Sequence, residues 1–136
     1  MKIGEAVLEI EHLEQRLEVL QARMRNDHGQ GRPLTYLLEK VESTANRLRD
    51  LQIATEWTYQ NVVINKMPLG SYAAKREQIE RLLEILESVD SPDLREKIDE
   101  LHEAKKEITR VINTVYWTYD LMLPEVKVPN KSEEEN

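Results

Sequence analysis

Two acid–histidine pairs, Glu9-x-x-His12 and Asp99-x-x-His102, have the spacing with which helical bundles hold paired metal ions. Such a site needs the Glu-x-x-His pairs of two helices and a carboxylate from each of two others, all pointing inward. Here the phase is wrong. With Ile10 and Leu13 facing a core, Glu9 and His12 lie on the flanks, and with Ile98 and Leu101 inward, Asp99 and His102 leave the seam. The chain holds three histidines and no cysteine, so thiolate chemistry and disulfides are excluded, and no nucleophile with a paired base stands out. Both tryptophans fall in one repeated tripeptide, Trp57-Thr58-Tyr59 and Trp117-Thr118-Tyr119. Such residues line a small aromatic pocket or, more often, build a core or an interface.

A second acidic pattern is Glu77-x-x-Glu80 followed by Glu96-x-x-Asp99. It resembles the spaced acidic pairs with which all-α nucleoside triphosphate pyrophosphohydrolases hold Mg²⁺, a cation that takes oxygen ligands. Antiparallel helices would have to bring the four carboxylates together. Glu80 and Asp99 sit beside the expected seam rather than in it, and a chain with 26 acids generates such spacings freely. No cofactor and no metal is therefore expected. The stretch Asn26–Pro33 carries two glycines and a histidine but lacks the Lys and Ser or Thr offsets of a phosphate cradle, so it reads as a loop.

The elements that position these residues are long helices. Ile3, Ala6, Ile10, Leu13, Leu17, Leu20 and Met24 alternate at three- and four-residue steps, predicting a first helix from Ile3 to about Asn26. Leu34, Leu38, Val41, Ala45, Leu48, Gln52, Thr55, Tyr59 and Val62 predict a second to about Asn65, widened by Leu37 and Leu51. Lys66–Gly70 is a tight connection, with Ser71 as the expected cap of a third helix to Val89. Ser91 followed by Pro92 and Asp93 is a strong helix start. Leu94, Ile98, Leu101, Lys105, Ile108, Ile112, Val115 and Tyr119 carry the fourth helix to about Leu121, where Lys105 packs by its stem.

Displaced by 60 residues, the two tripeptides coincide, as do Leu38 with Ile98 and Leu48 with Ile108; displaced by 66, Gly4 meets Gly70 and Leu17 meets Leu83. The expectation is an internal repeat of two helical hairpins forming an all-α, antiparallel, coiled-coil-like four-helix bundle over 1–123 (hairpins 1–65 and 70–123), with a flexible acidic tail over 124–136. In that arrangement Trp57, Tyr59, Val63, Met67, Trp117, Tyr119 and Met122 share one pole. The Tyr of each tripeptide continues the seam, so Tyr59 and Tyr119 are expected in the core and Trp57 and Trp117 at the surface. The apolar surplus predicts a partner surface, most simply that of a symmetric homodimer.

The opening Met1-Lys2-Ile3-Gly4-Glu5-Ala6, the stretch Leu69-Gly70-Ser71-Tyr72-Ala73-Ala74-Lys75-Arg76, and Ile112-Asn113 leading to Trp117-Thr118 together resemble a family of small bacterial all-helical proteins, some labelled septicolysin. The resemblance spans most of the chain before the tail. It implies an all-helical fold and brings no catalytic residues; the label implies lytic activity. The net charge of −7 argues against nucleic acid and against anionic lipid as partners. No stretch approaches a membrane span, and the first residues lack a signal-peptide pattern, so the expected location is the cytoplasm. The reading is a non-enzymatic, self-associating interaction or assembly module, with the Mg²⁺-dependent hydrolase and a membrane-active protein as alternatives.

Overall fold

The computed structural model describes residues 1–124; the expected tail lies outside the described residues from position 125 onward. Four helices dominate: α1 (Ile3–Gly29), α2 (Thr35–Asn61), α3 (Leu69–Val89) and α4 (Arg95–Thr118). Strands β1 (Val63–Ile64) and β2 (Met67–Pro68) join the two helical hairpins, and a 3₁₀ turn (Pro92–Leu94) precedes α4. The molecule is an all-α antiparallel bundle. Helix α1 packs on α2 and on α4, and α3 packs on α4 and on α2.

Local signals explain most boundaries. Glu5 reaches back to accept the Lys2 backbone N–H at 2.9 Å, satisfying a donor at the start of α1. Ser91 accepts the Asp93 N–H at 3.3 Å with Pro92 at the first helical position. Helix α1 continues through Asn26–Gly29, past the expected break, and stops where Gly31 takes φ +69°. The expected end of the second helix is also corrected. Helix α2 stops at Asn61, and Val63–Ile64 pairs antiparallel with Met67–Pro68. Asn65 and Lys66 both have positive φ (49° and 68°), the conformation of a two-residue type I′ hairpin turn. A strand sends neighbouring side chains to opposite faces, so Val62 is buried, Val63 exposed and Ile64 half-buried. That is how three consecutive apolar residues are accommodated.

The seams of α1 and α4 follow the expected phase. Along α2 one half of the expected seam is off by a residue. Leu37, Thr44, Leu51 and Thr58, seven apart, are buried, whereas Leu38, Ala45 and Gln52 are exposed. Leu34, Val41, Leu48 and Thr55 are half-buried in both readings.

The core is deepest at one pole. Ile3, Val62, Leu69, Ile112 and Val115 are buried in one cluster that runs on along α3 and α4 through Ile79, Leu83, Leu101 and Ile108. Away from this pole, Leu20, Leu37 and Leu51 are buried but lie outside that cluster, and Leu13, Leu17, Met24, Val41 and Leu48 are only half-buried.

Candidate functional site: the clasped aromatic pole

Both tripeptides lie at the deep pole, at the ends of α2 and α4. In the first copy the middle residue is the buried one. Thr58 has no exposed surface, and its hydroxyl donates to the Ala54 carbonyl at 2.7 Å while accepting the Met122 N–H at 2.9 Å. Tyr59 is half-buried instead of fully in the core. Its hydroxyl touches that of Tyr116, with ring centroids 6.3 Å apart. Burial, reinforced by this hydroxyl contact, pushes the Tyr59 pKa up.

The second copy is arranged differently. Helix α4 ends at Thr118, so Tyr119 leaves the seam and is exposed, correcting the expectation that it lies in the core. The chain then turns back across the start of α1. Ile3 N–H donates to the Tyr119 carbonyl at 3.1 Å, and Leu121 N–H to the Met1 carbonyl at 2.8 Å. Lys2 and Asp120 face each other in this bridge, with Nζ 2.9 Å from Oδ1. Lys2 also reaches the Thr118 carbonyl at 3.3 Å, where the end of α4 favours positive charge. The Lys2 ammonium holds the Asp120 carboxyl below its usual range. The segment 119–124 is thus a strap, tied to α1 by backbone bonds and to α2 by Thr58. At its end, Pro124 helps line a shallow recess with Ile53 and Trp57.

Close packing seats the two hairpins on each other. A Cβ at Gly4 would lie 2.9 Å from carbons of the Trp117 ring. A Cβ at Gly70 would lie 3.3 Å from the Tyr59 carbonyl oxygen. The hydroxyl of Tyr72 donates to the Ile64 carbonyl at 3.1 Å, and Leu69 N–H to that of Val62 at 2.8 Å, fixing the β-turn under the pole.

Beside the exposed polar residues Asn65, Lys66, Thr118 and Asp120, the pole presents a set of large apolar side chains. Trp117 keeps 54 % of its surface despite its seat on Gly4, Val63 at the turn keeps 56 %, and Leu123 on the strap keeps 75 %. Trp57, Tyr119, Met122 and Met1 are also exposed, while Met67 is half-buried. Of the seven residues expected at a partner surface, five are therefore presented to solvent, and Tyr59 and Met67 support them from within. Sequence reasoning missed Thr58 and the Lys2–Asp120 clasp. The seven-residue spacing Leu37, Thr44, Leu51, Thr58 is the signal that would have found Thr58.

The acidic candidates are not gathered. Glu77 pairs with Arg81 at 3.0 Å, and Glu80 lies 3.8 Å from Lys105 and 4.0 Å from Arg76. Glu96 and Asp99 face an open groove on α4 with Glu100 and Glu103. Glu9 is held by Arg47 at 2.7 Å, and His102 lies 3.1 Å from Glu87. Among the described residues no three acidic or histidine side chains converge to hold a metal ion. No helix of the described residues is long and apolar enough to cross a membrane.

Compared with known proteins, the chain matches no family model, no curated protein and no solved structure at a significant level.

Proposed function

We propose that this chain is a self-associating interaction or assembly module of the cytoplasm, with a second copy as its partner at the clasped aromatic pole. One observation carries the reading: Trp57, Val63, Trp117, Tyr119, Met122 and Leu123 are all exposed near the end where the core is deepest and the backbone most firmly tied. Two tryptophans and a tyrosine on a rigid base are the residue types that anchor interfaces. The strap and the β-turn hold them without a large ordering cost on binding.

The same end supports a coiled-coil-like internal repeat. Gly4 and Gly70, 66 positions apart, each receive an aromatic residue of the other hairpin, Trp117 and Tyr59 respectively. The tripeptides that supply them stand 60 apart. Two hairpins that meet at corresponding glycines, Gly4 on the Trp117 ring and Gly70 on the Tyr59 backbone, fit a fused pair of similar units.

Light scattering tests the proposal. The expected result is that Trp57→Ala with Trp117→Ala halves the particle's mass while circular dichroism stays helical. A wild-type chain that remains a monomer at all concentrations, or a folded double variant of unchanged mass, refutes it.

A further inference from the structure

Helices α1 and α2 form an arm of 27 residues each, against 21 in α3 and 24 in α4. Away from the pole this arm bears a groove of about 420 Å³ lined by Leu17, Glu18, Gln21, Met24, Arg25 and Val41. Every lining residue belongs to α1 or α2. Leu17, Met24 and Val41, which the heptad pattern assigns to a core, are only half-buried here.

We infer that this groove is a second self-association surface, closed by the same groove of another copy about a two-fold axis near Gln21. Charge complementarity selects this occupant. Glu18 and Arg25 border the groove two turns apart on one face, and among the described residues neither has an ion-pair partner. Antiparallel pairing of α1 with its own copy about an axis between Gln21 and Ala22 sets Glu18 against the partner's Arg25, and Arg25 against the partner's Glu18. The two glutamines flank the axis, and Leu17, Met24 and Val41 supply the apolar centre. Self-complementarity of this kind is the requirement of a two-fold interface.

This surface is separate from the pole. A chain with two self-complementary surfaces closes into a tetramer or extends into an open array. Sedimentation equilibrium at low salt tests the groove, on the full chain and on the Trp57→Ala, Trp117→Ala variant. Glu18→Arg alone and Arg25→Glu alone each replace two opposite-charge contacts per dimer with like-charge ones. Each is expected to weaken association through the groove about tenfold or more. An equimolar mixture of the two single variants restores opposite charges at both contacts and is expected to recover wild-type affinity. In the tryptophan double variant the groove is the surface that remains, so the expected passage is from dimer to monomer on adding either charge reversal. Unchanged association in the single variants, a mixture no tighter than either variant alone, or a tryptophan double variant that is already monomeric overturns the groove. The last of these outcomes leaves the pole standing. A tryptophan double variant of unchanged mass that still responds to charge reversal refutes the pole and leaves the groove.

Discussion

In a helix, alanine is more stable than glycine by about 1 kcal/mol, so Gly→Ala in α1 should stabilise the protein. At Gly4 the reverse is expected. The added Cβ would lie 2.9 Å from three carbons of the Trp117 ring, closer than carbon atoms pack. The ring cannot deform, so either α1 and α4 separate or Trp117 swings out from a seat that now covers nearly half its surface. Overpacking of this kind costs about 1–3 kcal/mol. Set against the helical gain, the net effect of Gly4→Ala is from about zero to 2 kcal/mol destabilising. Removing the ring removes the conflict, so Gly4→Ala in a Trp117→Ala background should stabilise by up to ~1 kcal/mol. The assay is urea unfolding followed by helical circular dichroism, because tryptophan fluorescence is altered by the second substitution. The cycle isolates a coupling energy of about 1–3 kcal/mol between positions 4 and 117. If Gly4→Ala stabilises the protein equally in both backgrounds, the ring does not sit on Gly4 and the account of how the hairpins meet is wrong.

Three further outcomes follow from the pole. Thr58→Val keeps the shape but leaves the Met122 N–H without its acceptor, at a cost of about 1–3 kcal/mol; unfolding measures this, and limited proteolysis should show faster cleavage within 119–124. Lys66→Gly relieves a side chain at φ 68° in the β-turn and should stabilise by roughly 0.5–1 kcal/mol; a loss of stability would contradict the type I′ turn. Tyr59 has its pKa raised by burial and by Tyr116, so the unfolded chain releases this proton before the folded one does. Its contribution is therefore intact below pH ~10 and declines as pH rises above that value, by less than ~1.4 kcal/mol per unit since the ring is partly solvated. Tyr59→Phe should flatten that decline in alkaline unfolding curves, whereas an unchanged pH dependence would assign it elsewhere.

Much of the pole was legible in one dimension because its causes are local or periodic. Apolar steps of three and four placed the helices, and Ser91–Pro92 placed the start before α4. The common phase of the two tripeptides brought them to one end. The register within α2 was not legible, because Leu37 and Leu38 are both leucine and either continues the steps from Leu34. Only tertiary packing selects Leu37, Thr44, Leu51 and Thr58. The β-turn was hidden for a related reason. Val62–Val63–Ile64 continues an apolar helix in composition, and only the pairing with Met67–Pro68 reveals that it has left one.

The Trp-Thr-Tyr pair shows where the division falls. Sequence alone determined that two copies of one aromatic tripeptide lie at the ends of two amphipathic helices, since periodicity is a property of neighbours along the chain. It could not determine which residue of each copy faces inward. Thr58 is buried because a strap from 64 positions away brings it an N–H. Tyr119 is exposed because the chain must leave α4 to reach Met1 and Ile3. Those bonds join residues remote in sequence, and a buried hydroxyl is tolerated only where the fold supplies its partner.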